Sequence, residues 1–567
     1  MRGGVFMKRC VNELNKFRMN HVGFTKNAAK KFVYLGNEAE EFFVRKISDG
    51  KILPYAKGTF SKMKESCDFD ACLVGDVSFI KEDGLYLIEC GNDNSRIFSV
   101  CDNIYDTVCR TLTQYYIWQR CGDDCGWNGK NCHRGEQLVD KRGKRHCFSG
   151  GHHQSGDLRK WTFGAAHGVY CLSEYKRNVA PLWDKGEIFF DISHSVKYYL
   201  SLISDEGYVF DSSFVPFDYD KEKCEAIGMN DYTAFWKPFR YYDKPAPVLG
   251  QFSVIRLLAS ASLTLEKYDK ELAEKAKLGA QKIWDYMMSE GMKLHSHEWT
   301  EYPPLGHFSF KQVLFDYYFE DSAMTLAVAA HAAASMYKMS HDENISLLAG
   351  EILEKLIDLA VYKDEKLHHF AICKNDDRAA EESSYFSANI PFSIAECIET
   401  FPDHKDIEKW KQCAIECVER YEKMSSANCY GKTTTQLTRN ENGQLAWSHC
   451  SPSYNSDLAR SAAFLVKMSK FCHKEKCLEI AQRLLDWLVG ANPYDSSSIE
   501  CVGFNQVRRA DFGEFFPGTP QIPGAVVTEI HPNAFGTPFG CEYDMPVVGD
   551  VLLAFSLYAN AVNDQLN

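Results

Sequence analysis

No apolar run in this chain reaches the roughly 18 to 20 residues that a membrane-crossing helix needs, so the sequence points to no membrane span. The opening stretch MRGGVFMKRC lacks the apolar core of a signal peptide, and the expected setting is the cytoplasm. Positive charge is in deficit: Lys and Arg number 64 against 77 Asp and Glu, for a net charge of −13. A nucleic-acid partner needs the opposite balance to neutralise phosphates, whereas a neutral ligand is compatible with an acidic protein. No motif recurs at a fixed period, which removes the usual signature of an open solenoid. Cysteine is plentiful at 22, but Cys109, Cys413, Cys417 and Cys477 are scattered through helical segments instead of crowding a small stapled domain. That distribution fits reduced core thiols in a reducing compartment. Hydrophobic residues make up 45% and aromatics 13% of the 567 residues, enough for a large core and more than one domain.

Two regions differ in pattern. From about Met19 to Val100, short alternating runs (KFVYLG, GLYLIEC) are separated by the turn pairs Asp49-Gly50, Asp83-Gly84 and Gly91-Asn92, which predicts a small antiparallel β-sandwich. It holds no convergent acid, base or nucleophile set. From Cys101 onward apolar residues recur at helical spacing in twelve segments: Asp102–Arg120, Leu158–Glu174, Glu187–Ile203, Pro247–Leu265, Glu271–Ser289, Asp321–Met339, Glu343–Leu359, Ser387–Thr400, Ile407–Lys423, Ser456–Phe471, Glu475–Val489 and Val547–Ala561. In one of them Ile407, Trp410, Ala414, Cys417, Val418 and Tyr421 share a stripe, with Glu408, Lys409, Lys411 and Glu419 off it. Short connectors such as Tyr268–Lys270 imply six antiparallel hairpins, for which a closed ring and an open stack are the two arrangements. The expected division is a β-sandwich over 1–100 and a helical domain over 101–567. Ser204–Lys244, Gly291–Phe319, Thr433–Asn455 and Asn492–Asp544 are long helix-free stretches rich in aromatics, expected to wall a cleft.

The most informative stretch is SGGHHQSGDLRKW, Ser149 to Trp161: a double glycine, paired histidines and a lone carboxylate, Asp157, ahead of a helical run. Taken alone, it reads as an N-cap at Asp157 or Ser155 on a glycine turn. Around it stand YYIWQRCG (Tyr115–Gly122), Cys132-His133, LVGANP (Leu488–Pro493) and EYDMP (Glu542–Pro546). In that order they resemble the glycoside hydrolase family nine enzymes, with their YYQRCG, CH, GGWHDAGD, LGxNP and terminal catalytic Glu segments. The resemblance covers nearly the whole chain. It implies an (α/α)6 barrel (six-hairpin) catalytic domain, mainly α, preceded by an immunoglobulin-like module.

The resemblance also implies roles. Inverting hydrolysis needs a carboxylate base for water and a carboxylic acid for the leaving oxygen, roughly 6.5–9.5 Å apart. On the family's pattern Asp157 is the base and Glu542 the acid, with Asp544 and Glu529 as competing carboxylates. The family's water-holding Asp is replaced by Gln154, which can hydrogen-bond water but cannot take its proton. The family's PHHR segment is absent; Arg508 and Phe512 are expected in its place, with Trp447 and Tyr454 as sugar platforms and His152 as a substrate-facing or packing residue. Cys121, Cys132, His133 and His153 fall on the family's structural zinc positions, with Cys125 as a substitute ligand; two thiolates and two imidazoles close a tetrahedral zinc site. Calcium has no readable signature. The implied activity is inverting cleavage of β-linked glucans or gluco-oligosaccharides, as a cellulase, β-glucanase or β-glucosidase. A carbohydrate-binding protein that has lost the chemistry is the first alternative, and a polysaccharide lyase the second. The expected partner is an oligosaccharide or polysaccharide, with neither nucleic acid nor membrane.

Overall fold

The structure is a computed structural model. It describes residues 15–563 except 37, 64–71, 127–131, 134–135, 157–159, 180, 182, 215–238, 290–320, 381–389, 434–436, 440–444, 448–453, 507–520 and 531–542.

Between residues 17 and 100 the chain forms the expected sandwich. One sheet orders β1 (Phe17–Arg18), β3 (Lys31–Tyr34), β7 (Cys72–Asp76) and β6 (Ser61–Met63). The other orders β2 (Gly23–Phe24), β10 (Phe98–Val100), β8 (Gly84–Cys90), β4 (Glu41–Ser48) and β5 (Lys51–Thr59), with β9 (Asp93–Asn94) beside β8. The period-two alternation explains the core: along β4, Phe42 and Val44 are buried while Glu41 and Phe43 face out. Phe17, Phe32, Tyr34, Phe42 and Tyr86, drawn from both sheets, fill the space between them. At the β4–β5 turn Asp49 and Gly50 both take positive φ, as a two-residue hairpin requires.

Twelve helices follow among the described residues: α1 (Ile104–Trp118), α2 (Gly164–Val179), α3 (Glu187–Ser201), α4 (Val248–Leu265), α5 (Lys270–Ser289), α6 (Ala323–Ser340), α7 (Glu343–Ile357), α8 (Ile390–Thr400), α9 (Ile407–Ser426), α10 (Asn455–Met468), α11 (Lys474–Leu488) and α12 (Met545–Asn563). The even-numbered helices touch in a closed cycle, α2 to α4, α6, α8, α10, α12 and back to α2. The odd-numbered ones pack outside them. This is the (α/α)6 barrel, with all six inner helices running the same way and starting at one end. Outer helices are amphipathic: α9 buries Trp410, Ala414, Cys417, Val418 and Tyr421, the stripe read from the sequence. Inner helices are buried over most of their length, α10 including Asp457 and Arg460, and α6 buries Ala327, Ala329, Ala330 and Ala332 to Ala334 against neighbours on both sides.

Three corrections to the sequence reading follow. Helices α4 and α12 are, by length and composition, apolar enough to cross a membrane; 94% and 78% of their apolar windows are buried inside the barrel, which accounts for their character. Helix α2 begins at Gly164 instead of near Leu158, because Trp161 and Phe163 are buried as loop anchors and not as the first turn of a helical stripe. A three-stranded sheet over Ala360–Lys363, Lys366–Cys373 and Asp376–Ala379 stands between α7 and α8, where no strand was read.

The sandwich grips the barrel through the segment that contains LVGANP. Asn20 donates to Asp486 (2.7 Å), the Arg18 guanidinium to the Pro493 carbonyl (3.1 Å), and Arg96 to Asp495 (2.7 Å). His21 receives the Phe504 backbone N–H on Nδ1 (3.1 Å), so its Nε2–H donates to Asp495 (2.8 Å).

Candidate functional site

The loop that follows α1 is held by anchors from both of its neighbours. The Cys121 N–H donates to the Gly151 carbonyl (2.9 Å) and the His153 N–H to that of Gln119 (2.8 Å). Gly150 and Gly151 have φ of 82° and 73°, and a Cβ on Gly151 would meet the Tyr198 ring at 2.6 Å, which explains the double glycine. Further on, the Tyr115 hydroxyl (2.9 Å) and the Met545 N–H (2.8 Å) both donate to the Gln154 carbonyl, and Ser155 bridges to Asp544. The loop therefore lies between the end of α1 and the start of α12, at the end of the barrel where the inner helices begin.

Cys121, Cys132, His133 and His153 converge there, all buried, with their ligating atoms within 4.8 Å of one another. His133 Nδ1 lies 2.8 Å from the Cys132 sulfur and 3.4 Å from that of Cys121; His153 Nε2 lies 3.3 Å from Cys132 and from His133 Nδ1. Two sulfurs and two imidazole nitrogens turned toward one dry point are a donor set that can hold a metal ion. Cys125 is exposed and stands apart from this group. His152 turns the other way: its Nδ1 meets Ser195 Oγ (2.7 Å) and its Nε2 meets Asp191 (3.1 Å), which also takes the Arg120 guanidinium (2.6 Å). With 1% exposure, His152 has the packing role, and its substrate-facing reading is withdrawn.

Behind the loop, Lys160 is fully buried and its ammonium lies 2.5 Å from Glu136 and 4.6 Å from the Tyr198 ring centre. Burial would depress it, but Cys121 and Glu136 outweigh that and raise it, so it remains charged. No pattern in the sequence marked Lys160 or Glu136. Deeper in the barrel, Asp550 accepts from His167 (2.7 Å) and pairs with Arg460 (3.0 Å), with Cys171 beside them. The arginine already neutralises that carboxylate, so this second group is a structural ion-pair network and not a cation site.

At the cleft end Tyr454 caps α10, its carbonyl accepting from Asp457 and Leu458, and burial beside Glu529 and Asp457 raises its hydroxyl. Glu529 sits on the segment that bridges Val527 to Tyr543. Burial pushes its carboxyl up to about 7 against a smaller opposing pull from Lys432, and among the described residues its buried Oε2 has no hydrogen-bond partner. Gln154 is buried, with its amide directed at Asp544. Trp447 ends the strand Leu445–Trp447, but its side chain lies outside the description. Asp157, Glu542, Arg508 and Phe512 lie outside the described residues.

Comparison with known proteins adds three relatives. A cellodextrinase from Butyrivibrio fibrisolvens is 29% identical over a stretch covering 29% of this chain and 31% of that protein, so the match spans less than a third of the relative's length. A family 9 glycoside hydrolase from Bacteroides ovatus superposes with a TM-score of 0.65 at 13% identity, covering 96% of this chain and 99% of its own. A zinc-binding triple mutant of a family 9 endoglucanase superposes with a TM-score of 0.62 at 14% identity, covering 94% and 99%. At these identities the two structures speak for the fold alone. The model of glycosyl hydrolase family 9 matches residues 105–510, most of the barrel and well over half of the chain. This chain belongs to glycosyl hydrolase family 9.

Proposed function

We propose that the protein hydrolyses β-linked glucans or short gluco-oligosaccharides with inversion at the anomeric carbon. The observation that carries this reading is the family membership over residues 105–510. The names cellodextrinase and endoglucanase borne by relatives support a glucan substrate. In the proposed reaction Asp157 deprotonates the attacking water and Glu542 protonates the leaving oxygen, the pairing that inversion requires. Glu529 is the second reading for the acid. A carboxyl pushed up to about 7 is about half protonated at neutral pH, whereas an ordinary glutamate is almost fully ionised there, and a proton donor needs that protonated share. Tyr454, Trp447, Arg508 and Phe512 are the proposed sugar contacts.

Cys121, Cys132, His133 and His153 would hold zinc, and four protein ligands leave it no open position for water. Bound zinc would supply a structural cross-link that steadies the loop, while the proton transfers fall to carboxyl groups.

The test is a panel of β-linked oligosaccharides with the anomer of the first product read by NMR, run on the parent chain and on Asp157→Asn. The parent should release the inverted anomer, and Asp157→Asn should lose about 10² to 10⁴-fold in rate with binding intact. Full activity in that variant overturns the base assignment. Gln154 at the water-holding position favours a second reading, a carbohydrate-binding protein without chemistry; binding with no turnover on any β-glycan would establish it.

A further inference from the structure

At the barrel end opposite the metal-ligand loop, where the inner helices finish, the structure holds a cavity of about 450 Å³. Five inner helices, α2, α6, α8, α10 and α12, line it with their C-terminal parts. A ladder of alternating charge forms one wall. Lys338 on α6 pairs with Glu396 on α8 (2.8 Å), and Glu396 with Lys467 on α10 (2.8 Å). Lys467 also pairs with Glu399 (2.5 Å), which in turn meets Lys470 (2.7 Å). Glu396 and Lys467 are 4% and 7% exposed. On α2, Arg177 pairs with one oxygen of Glu174, and the other accepts from Ser260 Oγ (2.7 Å). Burial would raise the Glu396 carboxyl, but Lys338 and Lys467 outweigh it, so the ladder stays charged at neutral pH.

Charge decides what such a cavity can hold. Four cations against three carboxylates leave one positive charge, and each of the five helix C-termini brings about −0.5. The helix ends cancel the surplus, so a phosphate or another polyanion finds no net attraction. A cation would have to displace a lysine from a carboxylate that it already bonds. Hydrogen-bonding capacity, by contrast, is left on both sides. Among the described residues Lys338 and Lys470 each commit one of three hydrogens, and a carboxylate oxygen with one bond keeps a second lone pair. A hydroxyl donates and accepts at once, so it fits beside such an ion pair. Leu553 and Leu557 of α12 add an apolar wall.

We propose that this cavity is a second ligand site that takes a neutral saccharide of one or two units, its hydroxyls on the ladder from Lys338 to Lys470 and a C–H face against Leu553 and Leu557. Its volume falls in the range of about 300–1,000 Å³ typical of small-molecule sites. The site uses no residue of the cleft, so it goes beyond the hydrolase reading and stands or falls apart from it.

The competing account is a purely structural ladder: cations near helix C-termini are favourable without any ligand, and the cavity then holds water alone. The experiment is hydrogen–deuterium exchange of the full chain, read by mass spectrometry, during titration with D-glucose, cellobiose or inorganic phosphate at constant ionic strength. It compares the parent with Leu557→Trp, which fills the cavity, and with Lys470→Met, which removes one rung while Glu399 keeps Lys467. At ten times the Kd read from the titration, segments that open only after the sugar leaves should exchange about tenfold more slowly. In the parent that slowing should appear at residues 170–178 and 466–470 with a sugar and not with phosphate, and it should vanish in Leu557→Trp. Lys470→Met should weaken sugar binding by about 2 to 10-fold, the worth of one hydrogen bond. No slowing at these segments with either sugar, slowing with phosphate, slowing that persists in Leu557→Trp, or an unchanged affinity in Lys470→Met would overturn the proposal. Turnover of cello-oligosaccharides, measured on the same samples, separates the two readings: a parent chain without turnover that still shows the slowing loses the hydrolase reading and keeps this site.

Discussion

Lys160→Met should be among the most damaging single substitutions near the loop, because it strands a buried carboxylate. Lys160 is 0% and Glu136 7% exposed at the side chain, the two pair at 2.5 Å, and among the described residues Glu136 Oε1 has no hydrogen-bond partner. Removing one partner of a buried pair costs about 3–5 kcal/mol, since the survivor is left charged in a medium that cannot solvate it. The substitution also removes the bond from Lys160 to the Gly150 carbonyl (3.3 Å), which ties the ammonium to the double glycine. At about 2.1 cal/mol/K of unfolding entropy per residue, a chain of 567 residues should melt about 3–4 °C lower. The diagnostic comparison is Lys160→Met with Glu136→Leu. Replacing both ends by apolar side chains leaves no stranded charge, so the double variant should be at least about 2 kcal/mol more stable than the summed single losses. Differential scanning calorimetry at pH 7, with urea unfolding followed by tryptophan fluorescence, measures both quantities. A melting point for Lys160→Met within 1 °C of the parent, or strictly additive losses, would refute the claim that the pair is energetically coupled.

Elemental analysis of the purified chain should find about one zinc, and chelation or Cys132→Ser should lower the melting temperature without changing the anomer released; a metal-free chain of unchanged stability would rule the cross-link out. Glu529 offers a test with a defined sign. Its carboxyl is held near 7, above the ordinary value near 4.5, so the stability it lends is full below about 4.5 and is lost as pH rises to about 7. Glu529→Gln should therefore gain on the parent across that window, by about 3 kcal/mol at 1.4 kcal/mol per pH unit, in urea melts at pH 4.5 and 8. If Glu529 is also the proton donor, the alkaline limb of kcat near pH 7 should vanish in the same variant; an unchanged limb returns the acid role to Glu542.

The barrel is legible because its outer helices display one apolar stripe each, a signal that needs no knowledge of what they pack against; the α9 stripe from Trp410 to Tyr421 is buried as the spacing predicts. The start of α2 was not legible. Leu158 and Trp161 stand at helical spacing in the sequence, whereas Lys160 beside Trp161 is buried against Glu136, a partner that periodicity cannot see. The same limit hid the true place of His152, committed to Ser195 and Asp191 on α3. The clustering of Cys121, Cys132, His133 and His153 was legible only through the family resemblance, since nothing local links Cys121 to His153. Asp544 stood in the sequence as one of three acidic candidates. Its pairing with Gln154 required the ring to close.

The grip of the sandwich on the LVGANP segment has a consequence for how the protein is made. Asn20 waits for Asp486, Arg18 for Pro493 and His21 for Phe504, separations of 466, 475 and 483 residues. At synthesis rates of about 5–20 residues per second, the first strands leave the ribosome roughly 25–100 seconds before their partners exist. Throughout that interval the polar side chains of Arg18, Asn20 and His21 must remain hydrated on the rim of a folded or half-folded sandwich. The last inner helix, α12, emerges later still and must close the ring between α10 and α2. Ring closure thus waits until α12 has emerged. A premature stop anywhere before α12 would leave an open, apolar-edged arc for the quality-control machinery to find.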